Sequence, residues 1–351
     1  MVGDTFAHQV KMVTSVPHAC RGAVSLAPSS GTRDSVRDWN AKETGDGSDQ
    51  PRARCVMSRP ARLAVGVVSV GRVGAVLGAA LAQAGHTVVA ASGVSRDSLR
   101  RAEALLPGVP LLPPDEVVRR ADLVLLAIPD DAVAGTVRGL AATGSVRAGQ
   151  IVVHTSGAHD VDVLGPAAAH GALPLALHPV MTFTGRREDL DRLAACCFGV
   201  TAQDGDEAAW SVGEALVVEM RAEPVRVPQS ARPLYHTALA HGANHLVTLV
   251  AESAELLRVA GVGVPERLLG PLLSAALDNA LRHGDRALTG PVSRGDAGTV
   301  RAHLDVLRDN SPEMVAAYRE LARRTARRAA DSGLLRADLA HDVFAAIEEN
   351  P

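Results

Sequence analysis

Three groups of residues have types and spacings that could carry chemistry. In the first, His154, Thr155, Ser156 and Gly157 follow an apolar run. The backbone N–H groups of Ser156 and Gly157 and the serine hydroxyl could grip a substrate carboxylate. A plain turn held by Ser and Thr hydrogen bonds would use the same residues. In the second, His178 and Pro179 precede Met181, Thr182, Phe183 and Thr184. An imidazole there could orient or protonate a carbonyl, or simply pack and donate to backbone. Thr182 is the adjacent candidate for substrate contact. The third group is Tyr235, His236, His241, Asn244 and His245, interleaved with apolar residues. On a helix His241 shares a face with Asn244 and His245. His236 is a candidate acid and Asn244 a candidate orienting amide, against the alternative of a polar helix face without chemistry. These histidines lack a carboxylate at ligand spacing, so no metal site is expected. Arg294 lies in the Gly- and Pro-rich stretch 289–296 and could clamp an acid group. Equally, Asp296 could cap a helix there and leave Arg294 in solvent.

A fourth stretch could bind rather than react. Ser69-Val-Gly-Arg-Val-Gly74 closes a β-branched run and opens a helical one. A dinucleotide turn of the type G-x-G-x-x-G needs glycine for a tight turn, for backbone approach to pyrophosphate and for helix–strand packing. Its glycines would fall at 69, 71 and 74, so Ser69 replaces the first while Gly71 and Gly74 remain, with Arg72 and Val73 between them. A glycine-rich turn without a ligand is the alternative. The next strand ends in Ala90-Ala91-Ser92-Gly93-Val94-Ser95-Arg96, with no acid before Asp97 to hold ribose hydroxyls. Ser92, Ser95 and Arg96 suit a 2′-phosphate instead, which favours NADP over NAD. Ser95 could also serve only as a helix cap.

The elements that must position these residues alternate. Strands are expected at 63–68, 87–91, 123–128, 151–153 and 173–177, with two later ones at 197–201 and 224–227. Helices are expected at 71–85, 97–106, 132–142 and 207–217. Short apolar strands alternating with helices predict a doubly wound parallel sheet, hence an α/β class. After Pro228 strand signals cease, and 234–260, 265–283, 297–307 and 313–332 read as helices. The expected organisation is therefore a disordered leader at 1–59, a Rossmann-like dinucleotide-binding domain at 60–228 and an all-α domain at 229–348. Met57, just before the first strand, is a candidate alternative start.

The chain has 351 residues, 36 basic and 39 acidic side chains and a net charge of −3. That balance gives no polybasic case for nucleic acid or anionic membrane. No apolar run suits a signal peptide or a membrane span, so a cytoplasmic protein is expected. Aromatics are 2% of residues, so the core must be built from Ala, Val and Leu. Cys20, Cys55, Cys196 and Cys197 show no metal or disulfide spacing. The only lysines are Lys11 and Lys42, so no lysine in the expected folded body can act as acid, base or Schiff-base former. Long Ala/Leu-rich helical faces after Pro228 predict a homodimer.

The residues then add up to a resemblance. Beside the motifs above, Pro129-Asp130-Asp131 and Thr289-Gly-Pro-Val-Ser-Arg-Gly-Asp296 are similar to blocks of a family of actinobacterial proteins assigned as oxidoreductases by prediction. These join a Rossmann-like domain to a helical domain of unknown function. The resemblance covers about 62 to 340. It implies a fold like the 6-phosphogluconate dehydrogenase group, with ketopantoate reductase and pyrroline-5-carboxylate reductase. It also implies cofactor contacts at Pro129 and Asp130, and it makes the Ser156–Gly157 turn look like a hydroxyacid dehydrogenase carboxylate loop. In the ketopantoate reductase register His236 stands at the catalytic lysine, Ala240 at the first asparagine and Asn244 at the second. The implied activity is NADP-dependent hydride transfer with a small carbonyl or hydroxy acid bound between the domains. Alternatives are an imine reductase of the pyrroline-5-carboxylate type and a non-catalytic nucleotide sensor.

Overall fold

A computed structural model describes residues 62–349. The leader, with Lys11, Lys42, Cys20, Cys55 and Met57, lies outside the described residues. The chain divides into two compact units, the first reaching Thr237 and the second beginning at Ala238.

In the first unit strands and helices alternate: β1 (Ala64–Val68), α1 (Arg72–Gln83), β2 (Thr87–Ala91), α2 (Arg96–Leu105), α3 (Pro114–Arg120), β3 (Leu123–Leu126), α4 (Asp130–Ala142) and β4 (Ile151–His154). There follow α5 (Gly165–Ala168), β5 (Leu173–Pro179), α6 (Glu188–Leu193), β6 (Cys197–Thr201), α7 (Glu207–Glu219) and β7 (Glu223–Arg226). The sheet order is β2-β1-β3-β4-β5-β6-β7. Strand side chains alternate between two cores. Leu123 and Leu125 join the cluster beneath α1 and α7, whereas Val124 and Leu126 join the one beneath α3 and α4. This two-sided burial is why the strands read as continuous apolar runs rather than alternating ones.

The sheet is mostly parallel, with one antiparallel pair that the sequence did not reveal. β6 runs antiparallel to β5, with His178 opposite Gly199, and β7 is parallel to β6. The link from β5 to β6 carries only the short α6, and an antiparallel neighbour needs no full crossover helix. The pattern also passed over α3, α5 and α6, all short.

The second unit comprises most of α8 (Arg232–Val259), α9 (Pro265–His283), α10 (Pro291–Arg294), α11 (Ala297–Asn310), α12 (Val315–Asp331) and α13 (Ala337–Glu348). Its core gathers Val300, Leu304, Ala326, Ala329, Val343 and Ile347 from α11, α12 and α13. Among the described residues, no helix is long and apolar enough to cross a membrane.

Candidate active site

The turn between β1 and α1 keeps, despite its serine, a backbone conformation that favours glycine. Ser69 has φ 77°, the left-handed conformation that the missing glycine would supply. Its N–H donates to the Ser92 hydroxyl at 2.9 Å, which ties the turn to the end of β2. A β-carbon at Gly74 would run into the Ser69 carbonyl oxygen and stand 2.9 Å from the Ala127 methyl. Only glycine therefore lets α1 approach the strand this closely. Gly71 is the N-cap of α1 and offers no side-chain acceptor, so the first N–H groups of that helix are left for another partner. Arg72 is exposed and Val73 half-buried.

Around the turn, Ser92 is 7% exposed. Ser95 caps α2, its hydroxyl oxygen accepting from the Ser98 N–H at 3.1 Å, so the capping role weighed for it is present. Arg96 is the first residue of α2 and exposed. Arg101, which sequence reasoning missed, reaches back to the Val70 carbonyl at 3.5 Å. A β-carbon on Gly185 would stand 2.7 Å from Arg101 Cδ and 3.0 Å from Arg72 Cγ, so the loop after β5 lies against this turn. That loop is fastened by buried Asp189, whose carboxylate accepts from the N–H groups of Thr184 and Gly185. Thr182 on the same loop is exposed. Pro129 is the N-cap of α4 and Asp130 its first residue. The His159 ring donates to the Asp130 carbonyl at 3.1 Å.

The second cluster lies where β4 and β5 end beside the start of α8. Ser156 is 5% exposed, and its hydroxyl oxygen accepts from the N–H groups of Ala158 and His159. The hydroxyl thus holds the turn, as one of the two sequence readings had it. Gly157 backs onto two imidazoles: a β-carbon there would stand 2.5 Å from His236 Cδ2 and 2.9 Å from His178 Nε2. β5 extends through Pro179, so His178 is a strand residue rather than a loop residue. Its Nδ1 lies 2.8 Å from the Tyr235 hydroxyl, and its ring meets those of Tyr235 and His236 edge-on. Burial, then the charge of Arg232, pushes the His178 pKa down to about 4. His154, wholly buried, is lowered to about 3 by burial first and Arg232 second. Its Nε2 donates to the Asp160 carbonyl at 3.0 Å.

Arg232 was not singled out by the sequence, because an arginine beside Pro233 at the start of a helix reads as a surface residue. It is fully buried and donates to the carbonyls of Ser156 and Gly199 and to the Thr201 hydroxyl. Burial lowers its pKa to about 10.

Four of the expected residues belong to the second unit. Asn244 is exposed on α8. His241 and His245 are exposed and face each other with their Nδ1 atoms 2.9 Å apart. Arg294 is exposed at the end of α10, and Asp296 caps α11 by accepting from the Thr299 N–H at 3.1 Å. This is the capping arrangement weighed for that loop. No group of three or more His, Cys, Asp or Glu side chains among the described residues could hold a metal ion.

Residues 48–179 match a family profile described as a Rossmann-like domain, and residues 196–325 one described as a domain of unknown function (DUF2520). The second match begins at Cys196, so it includes the antiparallel extension β6–β7. No curated protein matches the chain. Several solved structures share the fold. A candidate NADP oxidoreductase from Bacteroides fragilis has a TM-score of 0.63 at 22% identity, covering 76% of this chain and 98% of its own. An imine reductase from a Pseudomonas species has a TM-score of 0.56 at 21% identity, covering 82% and 100%. A 1-pyrroline-5-carboxylate reductase from Streptococcus pyogenes has a TM-score of 0.51 at 16% identity, covering 78% and 100%. The chain is thus an α/β protein whose Rossmann-like domain is followed by a helical region, the latter within reach of the DUF2520 match.

Proposed function

We propose that this protein is an NADP-dependent oxidoreductase that transfers hydride between the nicotinamide and a small carbonyl or hydroxy acid. The observation that carries the reading is the β1–α1 turn, where Ser69 takes up the left-handed φ of 77° and Gly74 leaves no room for a β-carbon. A turn strained in this way is explained by what its backbone must approach. The residues present fit a dinucleotide. The uncapped N-terminus of α1 suits a pyrophosphate, and Arg96, Arg72 and Arg101 supply cationic groups around the turn. With no acid between Ala91 and Arg96, NADP is favoured over NAD. When bound, the nicotinamide supplies or accepts the hydride.

The chain's own residues would handle the substrate and the proton. The backbone of the Ser156–Gly157 turn grips an acid group, while His178 and His236 line the turn's other side. His178, held near pKa 4, is neutral at pH 7 and orients rather than protonates. That leaves His236 as the proton carrier. An imine substrate is the second reading. Imine reduction needs only positioning and a weak acid, which suits a chain without lysine after Lys42, and an imine reductase is among its fold relatives. The reading also implies a homodimer acting in the cytoplasm.

The test is an NADPH titration followed by turnover of 2-keto acids and cyclic imines. Once a substrate is found, His236→Ala should lower kcat by ~100-fold, the scale of losing a general acid. NADPH affinity should stay within a few-fold. An unchanged kcat would remove His236 from the mechanism.

A further inference from the structure

His178 is held at one ring nitrogen and open at the other. Nδ1 meets the Tyr235 hydroxyl at 2.8 Å, while Nε2 points to Gly157, 2.9 Å from where a β-carbon would stand. Tyr235 fits because Gly199, opposite His178 in the β5–β6 ladder, has no side chain. A β-carbon there would stand 2.8 Å from Tyr235 Cζ. Behind Tyr235 lies Arg232, its Cζ 5.7 Å from the ring centroid.

Arg232 is the unusual member. It is 0% exposed, takes part in no ion pair among the described residues, and has a buried Nε without a partner. A guanidinium buried without a carboxylate costs several kcal/mol, and a well-packed apolar side chain is often the more stable choice. Its contacts give a reason for its presence. Its donors reach the carbonyl of Ser156 in the turn after β4, the carbonyl of Gly199 and the Thr201 hydroxyl on β6. One side chain therefore fixes the turn, the strand facing His178 and the start of α8 relative to one another. Burial holds the Tyr235 pKa above its ordinary value and the charge of Arg232 opposes this only in part, so the phenol keeps its proton, and Nδ1 of His178 is the one acceptor that its hydroxyl meets among the described residues. If Tyr235 donates, Nδ1 accepts, and the proton of a neutral imidazole must sit on Nε2.

We infer that Arg232 and Tyr235 are positioning residues that hold His178 as its Nε2–H tautomer, aimed at the Ser156–Gly157 turn to hydrogen-bond a carboxylate or carbonyl oxygen there. The identity of that ligand rests on the proposed function, but the tautomer does not. The groups facing His178 are Arg232, Tyr235 and His236 from α8, Asp130 at the start of α4 and His154 from β4. Burial, Arg232 and His236 all disfavour the imidazolium, and Asp130 alone opposes them.

The experiment is side-chain nitrogen NMR of the full-length protein with 15N-labelled histidine, from pH 5.5 to 8, without cofactor or substrate. The His178 signals are assigned by their loss in His178→Gln. The expected result is one neutral pattern with the proton on Nε2 and no titration in that range. Tyr235→Phe and Arg232→Met, where folded, should each give a mixture of tautomers. An Nδ1–H pattern or a protonation midpoint near 6.5 in the starting protein would overturn the inference, and that measurement needs no variant to fold. So would an unchanged Nε2–H pattern in folded Tyr235→Phe. A protein that fails to bind NADPH would sink the proposed function while leaving this result intact, so the two failures are separable.

Discussion

A β-carbon at position 74 would run into the carbonyl oxygen of Ser69, and Ser69 itself is turned to a φ of 77°. The two facts belong together. The serine carbonyl points at the first turn of α1 because the backbone at 69 is left-handed, and the helix can pass it only where residue 74 has no side chain. For an L-residue other than glycine the left-handed conformation costs about 1–2 kcal/mol, so this turn holds strain that the N–H donation to Ser92 helps offset.

The first prediction follows from that strain. Ser69→Val places a β-branched side chain at positive φ and should lower stability by roughly 2 kcal/mol or more. Ser69→Gly relieves the strain, partly offset by the greater freedom of glycine in the unfolded chain, and should leave Tm equal or higher. Thermal denaturation of the two variants checks this. A valine variant as stable as the glycine one would mean that position 69 is not left-handed.

Acid should destabilise the protein through two buried histidines. His154 and His178 have folded pKa values of about 3 and about 4, below the ordinary 6.5. Above pH 6.5 both are neutral in either state, and their contribution is complete. Below it the unfolded chain binds protons that the folded protein takes up only near pH 4 and 3. Stability therefore falls as pH drops through this window, at roughly 1.4 kcal/mol for each unit of displacement. Tm measured from pH 7.5 to pH 4 should decline, and less steeply in His154→Gln, whose amide nitrogen takes the Nε2 position that donates to the Asp160 carbonyl but cannot titrate. A Tm that stays flat down to pH 4.5 would argue against neutral, buried imidazoles.

The proposed homodimer is testable from the exposed leucines of α9. Leu268, Leu272, Leu277 and Leu281 are 50–80% exposed, and their spacing puts the first and second pairs on opposite sides of the helix. Val247 and Val259 on α8 are also more than half exposed. Apolar surface of this extent on a helix with only Pro265 and Leu269 buried is typical of an interface. Light scattering at micromolar concentration should give twice the chain mass, and Leu272→Glu with Leu281→Glu should shift the protein toward monomer. A monomer in the starting protein would remove the proposal.

Much of this was legible in the sequence, and the reasons are specific. Six of the seven strands could be read because each is a short, largely apolar run between turn residues; β7, Glu223-Pro-Val-Arg226, is mostly exposed and was legible only through Pro224–Val227. The direction of β6 could not, since Phe198 and Val200 are buried whichever way the strand runs. Ser69, Gly71 and Gly74 stood out because chain chemistry restricts what a pyrophosphate turn can contain. His178 was visible as a histidine after a strand, but its bond to Tyr235 spans 57 residues of sequence, beyond any local pattern. Arg232 left no signal at all, because nothing in its neighbourhood distinguishes a buried arginine at a helix start from an exposed one.

The central claim, that the β1–α1 turn receives an NADP dinucleotide, is tested most directly by calorimetric titration of the full-length protein with NADPH and with NADH. The account predicts saturable binding with NADPH the tighter ligand. Arg96→Ala should weaken NADPH binding by roughly 1–3 kcal/mol, the worth of a hydrogen bond to a charged group, and leave NADH unaffected. Gly74→Val should abolish the binding of both. Equal affinity for the two nucleotides, or binding that survives Gly74→Val, would contradict it.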